Sequence, residues 1–360
     1  MKTINHILIL FLTVSLFTAC NENDINPIPE PDQNTVYDHS LIVASTNPEG
    51  NAGKLVFVNP VDGKEVFSTT PELDGIKKFA AGYMSKNVLL TSLTGTDITI
   101  NSLFICDSKT GRPVTSLTSE NELNVMDITC SPASAMIAFT AKPAAGEEYY
   151  QLYTMNENGS NRTHVSLPLE AVTGLDGQSY ELLDISSPVF SPDGNTIAFN
   201  ALVDNTYQVP NSIFYDGIVI MDKNKGKEML FWKKGKNWGI EDISWTQDGK
   251  FLIFKINDQP SGFKRQIKAI SIDDKSITDL SSSLEIDDIE VWDLATSPNS
   301  NKIVFNQHLS NGSDLFIAEY EINENSLSIK GSPVKLTNKE TDGHNYYMPC
   351  WQTWDEKTGK

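Results

Sequence analysis

The sequence predicts an all-β fold, a six-bladed β-propeller whose blades are four-stranded antiparallel sheets. Two observations lead to this prediction. A hairpin of constant length recurs along the chain, and successive copies are separated by roughly 50 to 60 residues. A second hairpin follows each copy, which gives four strands per repeat of roughly 50 residues, the size of a propeller blade.

Each copy consists of an anchor residue and an apolar run that begins seven residues later. The anchors and the first residues of their runs are Ala81 and Val88, Cys130 and Ile137, Phe190 and Ile197, Trp245 and Leu252, and Thr296 and Ile303. Trp351 is a sixth anchor, whereas residues 40–70 contain three strands without an innermost partner. We expect the strand around Trp351 to pair with the N-terminal strands and close the ring, because an open ring leaves an unpaired sheet edge.

The clearest copy is SPVFSPDGNTIAFNA, residues 187–201. In its turn, Pro192 presets one backbone dihedral and Gly194 adopts a positive φ, which lets the two strands reverse direction. The run Ile197–Phe199 is apolar without alternation, which indicates a strand whose sheet is covered on both faces.

These residues resemble the TolB-like propeller repeat, which reads Asp, two residues, an aromatic, Ser-Pro-Asp-Gly and an Ile-Ala-Phe strand. The resemblance covers about residues 39–355 and implies the propeller fold. Ser187 stands at the Asp position of the best copy, and Gln247 replaces the Pro in the copy of residues 242–254. The resemblance does not specify a function, because this architecture hosts binding proteins, scaffolds and enzymes.

The first 19 residues have the plan of an export signal, with Lys2 followed by a short apolar stretch. The ending LFTAC resembles a bacterial lipoprotein signal, in which Cys20 becomes the lipidated first residue, although Phe17 stands where Leu is commoner. The alternative is an ordinary signal with a coincidental cysteine. Residues 20–38 are polar, acidic and rich in proline, which predicts an extended tether. The propeller then occupies residues 39–360.

The acidic residues after Cys20 also resemble the surface-export signals of Bacteroidota lipoproteins. This resemblance implies an exported protein anchored to lipid of the outer membrane, facing the periplasm or the cell surface. The chain has 47 acidic and 28 basic residues and a net charge of -19, which argues against nucleic acid as a partner. Beyond Cys20 three cysteines remain, an odd count that leaves at least one free thiol.

One face of a propeller gathers the loops that lead into the innermost strands, here called the loop face. Two long insertions, residues 168–186 and 202–217, lie there and flank one blade. Aromatic residues among acids and amides are expected on this face, where they suit a sugar ring or a peptide. They are Tyr180, Tyr207, Tyr215, Trp238, Trp292, Tyr346 and Tyr347. The alternative is that these rings pack the loops onto the blades.

Asp127, Asp242 and Asp293 each stand three residues before an anchor, so the fold places them in one ring near the axis. Such a ring suits Ca²⁺ or a basic partner segment. The favoured alternative is that each carboxylate accepts hydrogen bonds from backbone amides within its own blade. His308 and His344 suggest a metal site on the loop face, but a metal needs more converging ligands.

The sequence lacks a Gly-x-Ser-x-Gly nucleophile turn and the phosphate-binding and dinucleotide-binding motifs. We therefore expect a non-catalytic lipoprotein of the cell envelope, without cofactor or metal, whose loop face binds a protein or glycan partner. The alternative is a carbohydrate-active enzyme, a metal-dependent lyase, which the aromatic insertions and the two histidines favour.

Overall fold

The structure is a computed structural model of the 360-residue chain. It describes residues 42–45, 54–68, 76–81, 87–94, 97–107, 113–119, 122–143, 149–166, 171–204, 214–222, 226–234, 239–257, 265–285, 290–309, 312–343 and 345–351. The chain divides into two compact units, Met1–Val36 and Tyr37–Lys360. The predicted signal, Cys20 and the predicted tether lie outside the described residues.

The first part of the described chain consists of short strands. They are β1 (Ile42–Ser45), β2 (Leu55–Val58), β3 (Glu65–Ser68), β4 (Ile76–Ala81), β5 (Asn87–Thr94), β6 (Asp97–Asp107), β7 (Pro113–Ser116), β8 (Leu123–Cys130), β9 (Met136–Pro143), β10 (Gln151–Asn156), β11 (Thr163–Ser166) and β12 (Ala171–Thr173).

The second part continues with longer strands and one helical turn. They are β13 (Ser179–Phe190), β14 (Thr196–Asp204), β15 (Phe214–Asp222), β16 (Gly226–Lys234), β17 (Ile240–Trp245), β18 (Phe251–Asn257), β19 (Arg265–Ser271), β20 (Ile277–Asp279), β21 (Glu290–Thr296), β22 (Lys302–Leu309), β23 (Gly312–Asn323), β24 (Ser326–Lys335), α1 (Lys339–Asp342) and β25 (Tyr347–Trp351). The fold is all-β, as predicted. No helix in the described ranges combines the length and the apolar character needed to cross a membrane.

Within the described residues these strands form six sheets, and paired strands are antiparallel except for β12 and β16. Five sheets have four strands, in the orders β25-β1-β2-β3, β4-β5-β6-β7, β8-β9-β10-β11, β17-β18-β19-β20 and β21-β22-β23-β24. The sixth comprises β12 to β16, and a single parallel pair, Thr173 with Glu228, joins β12 to β16. The predicted pairing of the chain ends is present, because Trp351 on β25 lies opposite Ile42 on β1.

The seven-residue step of the sequence is a cross-strand pair in each of the five predicted hairpins. The pairs are Ala81 with Val88, Cys130 with Ile137, Phe190 with Ile197, Trp245 with Leu252, and Thr296 with Ile303. A constant separation between paired residues means a constant turn length. The predicted hairpins are therefore confirmed in position and register.

The turn after Phe190 has the predicted geometry. Gly194 has a φ of 69°, and its N–H donates to the carbonyl of Ser191 at 2.8 Å. The hydroxyl of Ser191 accepts from the N–H of Thr196 at 3.0 Å and contacts the carboxylate of Asp193 at 2.5 Å. Two of the hairpin copies lack the Asp-Gly pair. In these turns the hydroxyl of a second serine donates to the hydroxyl of the first, as Ser300 does to Ser297 at 2.9 Å.

The core lies between sheets rather than inside any one of them. Phe199 and Ile197 pack with residues of the β8–β11 sheet, such as Leu152. Ala198, which points the other way, packs with residues of the β17–β20 sheet, such as Leu252. The continuous apolar run of the sequence thus reflects burial on both faces, as predicted, since successive side chains of a strand point to opposite faces.

The 168–186 insertion, expected to be a loop, instead forms strand. It contains β12 and the first half of β13, which makes β13 twelve residues long. Ala171 pairs with Glu181, and Glu181 pairs in turn with Asp204 on β14. The insertion therefore lengthens one sheet and is itself part of the scaffold.

Each of four innermost strands has a β-bulge at the position three residues before its anchor. Pairing is interrupted there between Val125 and Ile128, Ser186 and Val189, Glu241 and Ser244, and Val291 and Leu294. Ser187 and Asp242 have positive φ values of 51° and 49° at this position. A bulge leaves a backbone amide outside the ladder, so that amide needs another acceptor.

At Ser187, and at the equivalent residue Met348 on β25, that acceptor is a carboxylate of the preceding sheet. Oδ2 of Asp127 on β8 accepts from the N–H of Ser187 on β13 at 3.0 Å. Oδ2 of Asp293 on β21 accepts in the same way from the N–H of Met348 on β25, also at 3.0 Å. Donor and acceptor occupy equivalent positions in successive repeats. These bonds therefore join one innermost strand to the next.

Two anchor tryptophans make a second contact of this kind. Nε1 of Trp245 donates to the carbonyl of Val189 at 3.2 Å, and Nε1 of Trp351 donates to the carbonyl of Ala295 at 3.1 Å. Val189 and Ala295 each precede the anchor of the neighbouring sheet. Both indoles are almost fully buried, so each adds apolar contact and one hydrogen bond between sheets.

Deletion of residues 348–360 tests the pairing of the chain ends. The deletion removes Trp351 and most of β25, which leaves one edge of β1 unpaired and exposes apolar side chains of β2. We expect this chain to aggregate or to lose cooperative unfolding in a thermal melt. Deletion of residues 353–360 is the control, because it keeps β25. A soluble 1–347 chain with an unchanged melt would contradict the pairing.

Asp293→Ala tests the bond between sheets. The substitution leaves the N–H of Met348 without its carboxylate, and an unsatisfied buried amide costs about 1–3 kcal/mol. We expect that loss in the free energy of unfolding, measured with urea at neutral pH. The control, Asp273→Ala on an exposed turn, should change it by less than about 0.5 kcal/mol. Equal effects of the two substitutions would exclude a structural role for the bond.

Candidate functional site

The structure describes only some of the predicted loop-face residues. Tyr207, Trp238 and His344 lie outside the described ranges, and Trp292 lies on β21 with its side chain outside them. The described members are Tyr180, Tyr215, Tyr346, Tyr347, His308, Asp127, Asp242 and Asp293. The site is therefore built from this second group.

The expectation that Tyr180 and Tyr346 are exposed is wrong. Their relative exposures are 3% and 2%. Tyr180 packs edge-on against Tyr215, with ring centroids 5.6 Å apart, and its hydroxyl donates to Oδ2 of Asp176 at 2.8 Å. Burial, together with this carboxylate, raises the pKa of Tyr180 to about 12. The ring fastens the extended hairpin to its own sheet, which is the packing role set out as the alternative.

Tyr346 is held in the same structural manner. Its N–H donates to the carbonyl of Ser313 at 3.1 Å, and its own carbonyl accepts from the hydroxyl of Ser313 at 2.9 Å. Its side chain belongs to the apolar cluster that includes Val56 and Trp351. The predicted exposure of Tyr215 and Tyr347 is also wrong, since both are buried. The sequence did not reveal this burial because a loop tyrosine has the same local sequence pattern whether its side chain is buried or exposed.

His308 lies on β22, opposite Glu290, and is partly buried. Its predicted companion His344 is outside the described residues. Within the described part of the chain, no three His, Cys, Asp or Glu side chains are arranged to hold a metal ion.

The favoured expectation was that each aspartate accepts backbone amides within its own blade, and the structure shows other partners. Asp127 and Asp293 accept backbone amides, but these amides belong to the next sheet. Asp242 instead forms an ion pair with Lys255, with Oδ2 and Nζ 2.6 Å apart. The reason is the bulge, which turns the amide of the next strand toward the carboxylate of the preceding one.

Lys255 is a site residue that sequence reasoning missed. Its side chain is 3% exposed, and Nζ also lies 3.0 Å from Oε2 of Glu241. Burial acts to lower the pKa of Lys255, but the carboxylates of Asp242, Glu241 and Asp293 outweigh it, so the pKa is raised and the lysine stays charged. The only signal was a lysine inside the apolar run FLIFKIN.

Lys255 occupies a repeated polar position, 13 residues after the aspartate position. The equivalent residues of three other repeats are Thr140, Asn200 and Asn306. Thr140 accepts from the N–H of Asp127 at 3.1 Å, and Asn306 accepts from the N–H of Asp293 at 2.7 Å. The second strands thus supply the polar partners of the innermost strands, which builds a hydrogen-bonded inner layer.

Two further carboxylates lie in the extended sheet. Burial raises the pKa of Asp184, although the backbone amides of Tyr150 and Ile185 act against it. Burial alone raises the pKa of Asp216, on β15, to about 7. The fold therefore favours the neutral form of Asp216 up to about neutral pH, and the extension carries a carboxyl group that titrates in that range.

Comparisons with known proteins show similarity to propeller structures. No family model matches the chain. A probable dipeptidyl-peptidase 5 from Aspergillus clavatus is 28% identical over 165 residues, which are 42% of this chain and 21% of that protein. The chain therefore matches about a fifth of the length of this relative.

Two solved structures extend over most of the chain. A TolB structure from Agrobacterium tumefaciens aligns with 83% of this chain and 88% of its own, at 16% identity and a TM-score of 0.51. A structure of a nidogen/laminin complex aligns with 86% of this chain and 97% of its own, at 9% identity and a TM-score of 0.46. Identity this low means that the TolB likeness bears on fold alone. Together with the six sheets and the Ser-Pro-Asp-Gly hairpin, it shows that the chain has a TolB-like β-propeller fold.

Proposed function

We propose that the chain is a non-catalytic binding or scaffold lipoprotein of the cell envelope, anchored through Cys20, with its partner on the loop face. The six sheets are the six blades of a closed ring. Contacts between successive innermost strands support this arrangement, since β4 contacts β8, β8 contacts β13, and the series continues through β17, β21 and β25 back to β4. A closed ring holds its loops on a rigid frame, where binding residues commonly lie.

The observation that carries the proposal is the extension of the β12–β16 sheet. Its strands β13 to β16 have 12, 9, 9 and 9 residues, whereas β17 and β18 of the next sheet have 6 and 7. The added length lies where β13 begins and β14 ends, which is the loop face. Buried Tyr180 and Tyr215 make this projection rigid, and rigidity lowers the entropy lost on binding.

A protein or peptide is the ligand class we favour over a glycan. The relative from Aspergillus clavatus is named a dipeptidyl-peptidase, and its aligned stretch covers 42% of this chain. The extension also presents the exposed carboxylate of Asp176, which suits the amines and basic side chains of peptides. A metal-dependent lyase is the alternative, and metal analysis of the purified protein separates the two.

Trp238→Ala and Trp292→Ala test the loop face. Cutting an interface aromatic to alanine typically costs about 2 kcal/mol or more of binding. We expect each variant to weaken binding of the partner at least roughly tenfold, with little change in Tm. The partner is first captured from an envelope extract on the detergent-solubilised full-length protein, and its affinity for each variant is then measured by calorimetry.

Tyr346→Ala is the matched control, since its ring is buried in the sheet contact. It should lower the free energy of unfolding by about 3 kcal/mol and leave the affinity of the remaining folded protein unchanged. Unchanged affinity in both tryptophan variants would exclude the loop face as the binding surface.

Cys20→Ser tests the anchor. Without the cysteine the chain cannot receive lipid, and an apolar stretch as short as that of the signal anchors weakly by itself. We expect the variant to remain an unprocessed precursor or to appear in the soluble fraction after cell fractionation, with no incorporated palmitate label. A variant that sediments with membranes as fully as the wild type would contradict the lipid anchor.

A further inference from the structure

A cleft lies between the β12–β16 sheet and the β17–β20 sheet, at the end where their inner hairpins turn. Its volume is about 740 Å³, within the usual range of ligand sites. The hairpin turns at Ser191 and Thr246 form one side, and the start of β16 and the β19–β20 turn form the other. The loop face is at the opposite end of these strands, so this cleft is separate from the proposed partner site.

The floor of the cleft is apolar and fixed. Ile220, Trp245 and Ile272 line it. The indole of Trp245 cannot rotate freely, because it is 6% exposed and its Nε1 donates to the carbonyl of Val189. A floor of this kind accepts methylene groups without rearrangement.

The inner turns are further apart at this junction than at the preceding one. At the preceding junction, a Cβ built on Gly194 would lie 2.8 Å from Oγ of Ser131, so the two turns are in tight contact. At the cleft, a Cβ built on Gly249 would lie 3.7 Å from Cδ of Pro192. The turns are therefore further apart where the cleft opens.

One ion pair crosses the cleft and fixes its width. Nζ of Lys275, on the β19–β20 turn, lies 3.1 Å from Oε1 of Glu228 on β16. The same Nζ donates to the carbonyl of Ile272 at 2.7 Å. The ammonium group of Lys275 is thus already paired with groups that border the cleft.

The described residues that line the cleft carry more carboxylates than cations. Besides Glu228, four carboxylates border the cleft, and Lys275 is the one cation among the described residues that line it. The four are Asp193, Asp222, Asp248 and Asp273. Burial at the floor and negative charge at the rim together favour a ligand with an apolar stem and a cationic end.

We propose that this cleft binds lysine or arginine side chains of a basic peptide segment from a protein partner. The methylene stem lies on Trp245 and the two isoleucines, and the cationic end faces the rim carboxylates. Charge complementarity identifies the occupant, since an acidic or neutral segment would gain nothing from this rim.

The test uses the full-length protein in detergent and two blocked nonapeptides, Gly-Ser-Lys repeated three times and the same peptide with norleucine for lysine. Calorimetry at low salt should give a Kd below about 1 mM for the lysine peptide. The norleucine peptide should bind at least roughly tenfold more weakly, and about 0.5 M NaCl should weaken the lysine peptide similarly.

The matched variants are Asp248→Asn/Asp273→Asn and Glu65→Gln. The amide introduced by Asp248→Asn retains the oxygen that accepts from Thr246, and Asp273 is exposed, so Tm should move by less than about 2 °C. The double variant should bind the lysine peptide about tenfold more weakly, whereas Glu65→Gln, which removes an exposed charge on β3 in a sheet that does not border the cleft, should change Kd less than about twofold. If the double variant melts early, Asp273→Asn alone should weaken binding about threefold.

Three outcomes would overturn the proposal. They are no binding of the lysine peptide, equal binding of the norleucine peptide, and equal loss of affinity in the Glu65→Gln control. Binding of CaCl₂ in the cleft without binding of the lysine peptide would also overturn it and would assign the rim to a metal cation. Partner capture on the loop face is measured separately, so failure here leaves the loop-face result standing.

Discussion

Burial of a sheet on both of its faces, as in the four sheets from β8 to β24, is the constraint on which the rest of this structure depends. A four-stranded sheet of this size has little core of its own, so its stability comes from its two neighbours. The clusters around Phe199, Phe139 and Phe305 each contain residues of two sheets. Side chains of one strand therefore belong to different clusters, as Ile197 and Ala198 do.

Packing between sheets is not directional, so it does not by itself set how far one sheet slides along the next. Directional bonds at the innermost strands supply that register. Asp127 and Asp293 each bond an amide of the following repeat, and Trp245 and Trp351 each bond a carbonyl of the preceding one. The aspartate position lies three residues before the anchor position. One short segment of the sequence therefore contains both the start of the hairpin and the positions whose side chains bond a neighbouring sheet.

The sequence allowed the hairpins to be predicted because their information is local. A seven-residue step and a turn residue such as Gly194 specify strand, reversal and register within one short segment. The direction of the aspartate bonds was not predictable, because it depends on a bulge that only the paired strands create. Burial of Tyr180 was missed because its partner Tyr215 is distant in the chain. Burial of Tyr346 was missed because the apolar cluster that it shares with Trp351 includes residues of another sheet. The charge of buried Lys255 likewise depends on Asp242 and Asp293, which lie on two different sheets.

The junction between the β12–β16 and β17–β20 sheets departs from the repeat at several points. Ser187 has no carboxylate with which to bond the amide of Asp242, and Asp242 bonds Lys255 instead. The junction is held by Trp245 and by the ion pair of Lys275 with Glu228. Both contacts border the cleft, so a ligand on the Trp245 floor would touch the groups that join these two sheets. The same pair of sheets borders the loop-face extension. Without the aspartate bond, this junction leaves room for specific contacts at both ends of the strands.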